Sequence, residues 1–211
     1  MTAVTVAVVA KECLPGRVKT RLIPALGPEG AARVAAASLS DTLATVRALP
    51  AARRILFFDG EVVPAAAEGF HVLPQPTGDL DERLGTLFDA VQGPLLLVGM
   101  DTPQVRPADL AAVFEQPERD AWFGPAEDGG FWALYLHVPD GALIRGVPMS
   151  KDDTGAVQRA RLVDAGLDVG DLAPLLDVDE IADADRVVEL APDSAFAAAL
   201  ASERTTSGGA R

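Results

Sequence analysis

Five short apolar runs bounded by Gly and Pro punctuate the chain, at Val4 to Val9, Ile55 to Phe58, Phe70 to Leu73, Leu95 to Val98 and Ala121 to Gly124. Runs of this length read as buried strands, and the longer alternating segments between several of them give the rhythm of an α/β sheet. Val34, Leu39, Leu43 and Val46 recur near helical spacing across Glu29 to Leu49, as do Leu84, Leu87, Phe88 and Val91 across Asp81 to Val91. Both segments are predicted as helices packed on that sheet. Pro24 to Gly30 is expected as a linker into the first of them. Pro107 ahead of Ala108-Asp109-Leu110 marks a first helical turn, and Asp152 or Asp153 is placed to cap a helix that stops at Gly166. Phe131 to Leu136 is an aromatic strand whose direction the pattern leaves open. Residues 1–201 are expected to form a single domain, and Ser202 to Arg211 a disordered tail that buries no apolar area.

The chain of 211 residues is 49% hydrophobic and 23% charged, an ordinary balance for a soluble globular protein. Its net charge of −13 argues against a sequence-independent nucleic-acid or anionic-membrane surface, so small, locally bound ligands are expected. No apolar stretch approaches a membrane span, and Met1-Thr2-Ala3-Val4 reads as the approach to a strand and not a signal peptide. One cysteine, Cys13, fits a reducing cytoplasm. Its neighbouring cations would lower a thiol pKa, yet with only His71 and His137 in the chain a Cys-His nucleophile is a poor fit.

Against this acidic background Lys11, Arg17, Lys19 and Arg21 gather around the turn Pro15-Gly16, directly after the first strand. Crowded cations repel one another unless an anion sits among them, which points to phosphate, with a solvated basic turn as the alternative. Neither a P-loop nor a Gly-x-Gly-x-x-Gly pattern is present. Asp101 ends the strand Leu95 to Val98 and is aimed at the crevice beyond the carboxyl ends of the strands, unless it only caps the helix after Pro107. Asp177 and Asp179 follow another apolar pair and share one face of a strand in alternation. Oxygen-only ligands in a chain with few histidines suit Mg²⁺ or Mn²⁺; a solvated acidic edge is the plain alternative. Gly124 to Trp132 joins two strands through Gly129-Gly130, either as a simple hairpin or to let backbone approach a ligand near Asp128. Gln75 to Leu84 is a helix start or a surface for a nucleoside. Met149 to Gly155 supplies hydroxyls and a cation before a helix, for an N-cap or for a second anionic substrate.

In order along the chain these segments resemble the nucleotide-diphospho-sugar transferase superfamily with its Rossmann-like GT-A fold, a mostly parallel sheet with helices on both faces. The chain is similar within it to a bacterial family labelled glycosyltransferase by fold and associated with radical-SAM and selenium-domain proteins. More distantly it resembles the 2-phospholactate and molybdenum-cofactor guanylyltransferases. The resemblance spans Val4 to Asp185 and departs where Glu180-Ile181 replaces Thr-Pro after Asp177-Val178-Asp179. It implies Asp101 and Asp179 as ligands of Mg²⁺ or Mn²⁺, with Asp177 or Asp128 in reserve. It implies Lys11, Gly16, Arg17, Lys19, Arg21, Gly78, Asp79 and Leu80 around a nucleotide. By the same reading Asp128, Gly129, Gly130, Ser150 and Thr154 face the acceptor, and Asp101, Lys19 and Arg21 serve catalysis. Two reactions share such an apparatus: nucleotidylyl transfer from a nucleoside triphosphate to a small phosphate or phosphonate acceptor, and glycosyl transfer from a nucleotide sugar. Four cations favour the triphosphate. A nucleotide-binding module without turnover is a third reading, disfavoured by the paired carboxylates.

Overall fold

A computed structural model of the chain describes residues 3–208. Seven strands form one sheet: β1 (Thr5–Lys11), β2 (Arg53–Asp59), β3 (His71–Pro74), β4 (Leu95–Gly99), β5 (Ala121–Pro125), β6 (Phe131–Leu136) and β7 (Val169–Asp171), in the order β3-β2-β1-β4-β6-β5-β7. All neighbouring pairs are parallel except those of β6, which runs antiparallel to both β4 and β5. The chain returns from β5 to β6 through the short Gly129-Gly130 turn, and only a reversal closes so short a link, since a parallel return needs a dozen residues or more. The strand order turns back between β1 and β4. In an open sheet of this kind the crevice forms there, at the carboxyl ends of the strands.

Helices cover both faces, as expected for the GT-A arrangement. Val6, Val8 and Ala10 point to one face and pack with Leu39, Leu43 and Val46 of α1 (Ile23–Ala48), while Ala7 points to the other, with Leu84, Leu87 and Phe88 of α2 (Leu80–Ala90). The period of two in the strand meets the helical period in each helix. Beyond Pro107–Leu110, a 3₁₀ turn, lie α3 (Ala111–Glu115), α4 (Thr154–Asp164), α5 (Ile181–Leu190) and α6 (Ala195–Gly208). Leu162 of α4 joins the α2 face; α5 and α6 pack Val187, Phe196 and Leu200 on Leu26 and Val34 of α1.

Four local expectations are revised. Pro24 to Gly30 is no linker: α1 begins at Ile23 and kinks at Gly27, whose φ of 70° only glycine adopts without strain, and Pro28 restarts the helix with its preset φ. Asp153 holds the N-cap position of α4 without a side-chain cap bond, although Gly166, at φ 82°, ends that helix as read. Asp177 and Asp179 are not in a strand. Their segment is tied to the sheet by one bridge, Ala126 to Leu175, and by Val178 N–H donating to the Asp101 carbonyl at 3.0 Å. Finally, residues 202–208 are helical and no open tail. Buried Glu203 receives two 2.6 Å hydrogen bonds from the Arg33 guanidinium, and Asp41 accepts from the N–H groups of Ala195 and Phe196 to cap the helix from outside. Residues 209–211 lie outside the described residues.

Candidate active site

Lys11 closes β1, and the loop after it turns at Gly16, where φ is 76° and Arg17 N–H donates to the Leu14 carbonyl. Two apolar plugs, Val18 and Leu22, sink into the protein and hold the loop rigid between them. Lys19 sits between the plugs in left-handed conformation, φ 43° and ψ 46°, uncommon for a residue with a Cβ. That backbone turns the side chain inward. Only 8% of it is exposed, and its ammonium lies 2.6 Å from Asp101 Oδ1 and 3.2 Å from Asp179 Oδ1. Burial alone pushes the Lys19 pKa down, but the charges and hydrogen bonds of Asp101 and Asp179 outweigh it and hold the pKa above the ordinary lysine value. Arg21 Nη1 reaches Asp179 Oδ2 at 2.9 Å while remaining largely in solvent.

Asp101 stands two residues beyond β4 with 46% of its side chain exposed. It caps no helix: the turn at Pro107 is closed by Arg106 and Asp109. Asp128, Asp177 and Asp179 converge, each offering one carboxylate oxygen within 4.8 Å of the others. Among the described residues Asp177 Oδ1 is buried with no hydrogen-bond partner, and burial, followed by the Asp128 and Asp179 charges, pushes the Asp177 pKa up to about 6. A buried orphan carboxylate oxygen among like charges is the donor set that a hard divalent cation relieves. Asp128 is oriented by Gly130 N–H, 2.7 Å from its Oδ1. Packing requires Gly129, because a Cβ there would overlap the Asp152 carbonyl oxygen, and Gly155, where one would overlap the Gly130 carbonyl oxygen. Cys13 is no thiolate. Burial and then the Asp101 charge raise its thiol to about 11, outweighing Lys11 and Lys19, contrary to the effect read from its neighbours.

Three adjoining cavities form one crevice. The first, about 480 Å³, lies between the ends of β1, β2 and β4 and is lined by Lys11, Leu80, Asp101, Asp128, Gly130, Ser150 and Thr154. The second, about 260 Å³, is lined by Lys11, Lys19, Arg21, Asp101 and Asp179; the third, about 460 Å³, by Arg21, Asp128, Ser150, Asp177, Asp179 and Arg186. Arg17 is exposed and lines none of them, and neither do Gly16, Gly78, Asp79 or Gly129. The Thr154 hydroxyl is spent on bracing its loop, donating to the Pro148 carbonyl and accepting from Lys151 N–H. Sequence reasoning passed over Asp59 and Arg186 as site residues, whereas Gln75, Arg83 and Lys151 fell within segments read as a nucleoside or anion surface without being singled out. For Asp59 a signal existed, since it ends an apolar run at β2 much as Asp101 follows one at β4.

Residues 42–151 match the family model described as "Uncharacterized protein conserved in bacteria (DUF2064)". The match includes Asp101 and Asp128 but not the basic loop or Asp179. The phosphoenolpyruvate guanylyltransferase of Nocardia farcinica (strain IFM 10152) is 30% identical over 196 residues, covering 86% of this chain and 84% of that protein. A crystal structure from Desulfovibrio desulfuricans G20, assigned as a nucleotide-diphospho-sugar transferase, superposes with a TM-score of 0.84 at 22% identity, over 97% of this chain and 96% of the other. Rv0371c from Mycobacterium tuberculosis H37Rv, solved as a manganese complex, gives 0.56 at 23% identity over 89% and 98%. These structures share the fold. Among the described residues no helix is long and apolar enough to cross a membrane.

Proposed function

We propose that this chain, which belongs to the DUF2064 family within the nucleotide-diphospho-sugar transferase superfamily, is a divalent-cation-dependent nucleotidylyltransferase. It moves a nucleoside monophosphate from a nucleoside triphosphate to a small phosphate or phosphonate acceptor, as one domain acting in the cytoplasm, where such triphosphates are held. The observation that carries this reading is the junction of Lys11, Lys19 and Arg21 with Asp101 and Asp179 at the carboxyl end of the sheet's switch point. A triphosphate tail suits three cations better than the diphosphate of a nucleotide sugar does, and the Nocardia relative, named for guanylyl transfer, supports the same choice.

The chemistry asks little covalent help from the protein. An acceptor oxygen attacks the α-phosphorus, the bond from that phosphorus to the bridging oxygen breaks, and diphosphate leaves. Lys11 and Arg21 bind the phosphate oxygens, and Lys19, fixed by its buried stem, places a charge where the leaving group gains its own. Asp101 and Asp179, with Asp128 and Asp177 beside them, fit Mg²⁺ or Mn²⁺, which when bound neutralises phosphate charge and lowers the barrier to displacement. Asp128 and Ser150 line both the first and the third cavity, with Gly130 in the first, and they orient the acceptor.

The test is a matrix of nucleoside triphosphates and nucleotide sugars against phosphate and phosphonate acceptors, with Mg²⁺ or Mn²⁺, read as diphosphate release and product mass. Diphosphate release that needs both acceptor and metal is expected. A melting scan adds an independent readout, since ligand at about a hundred times its Kd stabilises by roughly 2.7 kcal/mol. Strong stabilisation by a nucleotide sugar with none by any triphosphate would transfer the reading to glycosyl transfer. No response to either class would leave the crevice without an enzymatic role.

A further inference from the structure

We infer that Asp59, oriented by Arg83, selects guanine as the base of the nucleotide. The inference rests on the nucleotidylyl-transfer reading and adds to it the residues that choose the substrate. The cavity of about 480 Å³ has apolar walls that include Val9, Leu84 and Leu97, and its pole away from the acceptor residues is polar, with Asp59, Gln75 and Arg83. Gln75 is locked: its amide nitrogen donates to the Ala10 carbonyl at 3.0 Å and to the Phe57 carbonyl at 2.9 Å, at the ends of β1 and β2. With both amide hydrogens spent, its Oε1 is left to accept from Arg83 Nη1 at 2.7 Å. The same Nη1 lies 3.3 Å from Asp59 Oδ2, so the carboxylate and the guanidinium stand side by side at the cavity. Arg83 is only 21% exposed and its Nε is buried without a hydrogen-bond partner, whereas Asp59 is 60% exposed and only one of its oxygens is engaged among the described residues. A fixed cation thus presents a carboxylate that still has acceptor capacity.

That pair offers acceptors beside a donor. Guanine presents the complementary edge, with N1–H and the N2 amino group as adjacent donors and O6 as an acceptor beside them. Adenine and cytosine place a ring-nitrogen lone pair next to their amino group, which a carboxylate repels, and uracil has a single N–H between two carbonyls. A site built to accept hydrogen bonds from a substrate rejects an analogue that lacks the donors far more strongly than an apolar pocket rejects a change of size. Lys11, the register partner of Asp59 on the neighbouring strand β1, lines both this cavity and the one that holds Lys19, Arg21 and Asp101, so a base at Asp59 leaves its phosphates on the side of the basic loop.

The experiment is calorimetric binding of GTP, ITP and ATP with Mg²⁺ to the full chain, to Asp59→Asn, and to Arg83→Gln and Arg83→Lys, with melting curves as a folding control. ITP lacks only the N2 amino group. The wild type is expected to bind GTP about tenfold or more tighter than ITP, and ATP weakest. Asp59→Asn should bring GTP and ITP to within about threefold of each other with an unchanged melting temperature. Arg83→Gln should compress the same ratio and Arg83→Lys restore part of it, which a merely structural arginine would not do. Equal weakening of all three nucleotides in Asp59→Asn would place the carboxylate on ribose and overturn the inference, as would a wild type that does not distinguish them. Binding of none of the three would overturn it together with the function on which it rests.

Discussion

The Lys19 ammonium lies 2.6 Å from Asp101 Oδ1 and 3.2 Å from Asp179 Oδ1, joining two carboxylates about eighty residues apart in sequence. The basic loop therefore does not wait for an external anion to relieve its repulsion, because the chain supplies two. A phosphate arriving there meets cations already held in place, and one of the carboxylates that hold them, Asp179, also belongs to the acidic cluster with Asp128 and Asp177.

Asp101→Asn should abolish metal-dependent turnover while sparing the fold. The amide keeps the shape and removes the charge, and loss of one strong electrostatic group at a reacting centre costs about 3 to 4 kcal/mol, or two to three orders of magnitude in kcat. Because Asp101 is nearly half exposed, the loss of its ion pair should lower stability by no more than about 1 kcal/mol. Rate assays beside urea melts check both numbers; near-normal turnover would remove Asp101 from the mechanism.

Charge reversal should separate two neighbours that look alike in sequence. Lys19→Glu sets a third carboxylate, poorly solvated, between Asp101 and Asp179, and should lower the melting temperature by several degrees as well as weaken nucleotide binding. Arg21→Glu changes a side chain that is 65% exposed, so its stability should move little while nucleotide affinity still falls. Titration calorimetry and melting scans on both variants decide, and equal destabilisation would contradict the difference in burial.

Asp177 should make stability depend on pH in a particular sense. An unfolded aspartate titrates near 3.8 and the folded Asp177 at about 6, so the folded state binds this proton more tightly. Its contribution is then most favourable below about pH 4 and is lost as pH rises through 6. Asp177→Asn should accordingly gain stability on wild type between pH 4 and pH 7.5, by up to about 3 kcal/mol at 1.36 kcal/mol per pH unit. Millimolar Mg²⁺ should return stability to the wild type at pH 7.5 and do less for the variant. Urea melts at the two pH values test this, and an advantage independent of pH would refute the assigned cause.

Gly155→Ala should destabilise, although alanine normally favours a helix over glycine. The new Cβ would overlap the Gly130 carbonyl oxygen, where Gly155 N–H donates to the Gly129 carbonyl at 2.8 Å. Overpacking against backbone costs about 1 to 3 kcal/mol and would push the Asp128 hairpin away from α4. Lower thermal stability together with weaker divalent-cation binding is the expected pair of results; a stabilised variant would show that the contact yields.

The sequence by itself determined the local elements and the chemistry on offer. Apolar runs of four to six residues become strands whatever their partners, and the spacing of Leu84, Leu87 and Phe88 becomes a helix because burial rewards that period alone. The ends of those elements were legible too, so Lys11 and Asp101 were visible as residues beyond strands, and Asp128 as part of a hairpin. Only the tertiary structure decided which of these residues meet. The inward turn of Lys19 depends on an αL backbone and on the burial of Val18 and Leu22, neither of which a spacing rule encodes. Asp177 and Asp179 reach the site on a coil pinned to the Asp101 carbonyl and not by strand alternation. Arg17 looked equal to Lys19 in sequence and is left in solvent, while Asp59 and Arg83 were brought to one cavity by the pairing of β2 with β3 and the return of α2. Ser202 to Gly208 looked too polar to order, yet joined a helix because Arg33, far away in the chain, pairs with Glu203. Periodicity records how each segment buries its own apolar face, whereas contacts between distant polar groups are set by where the packed layers carry them.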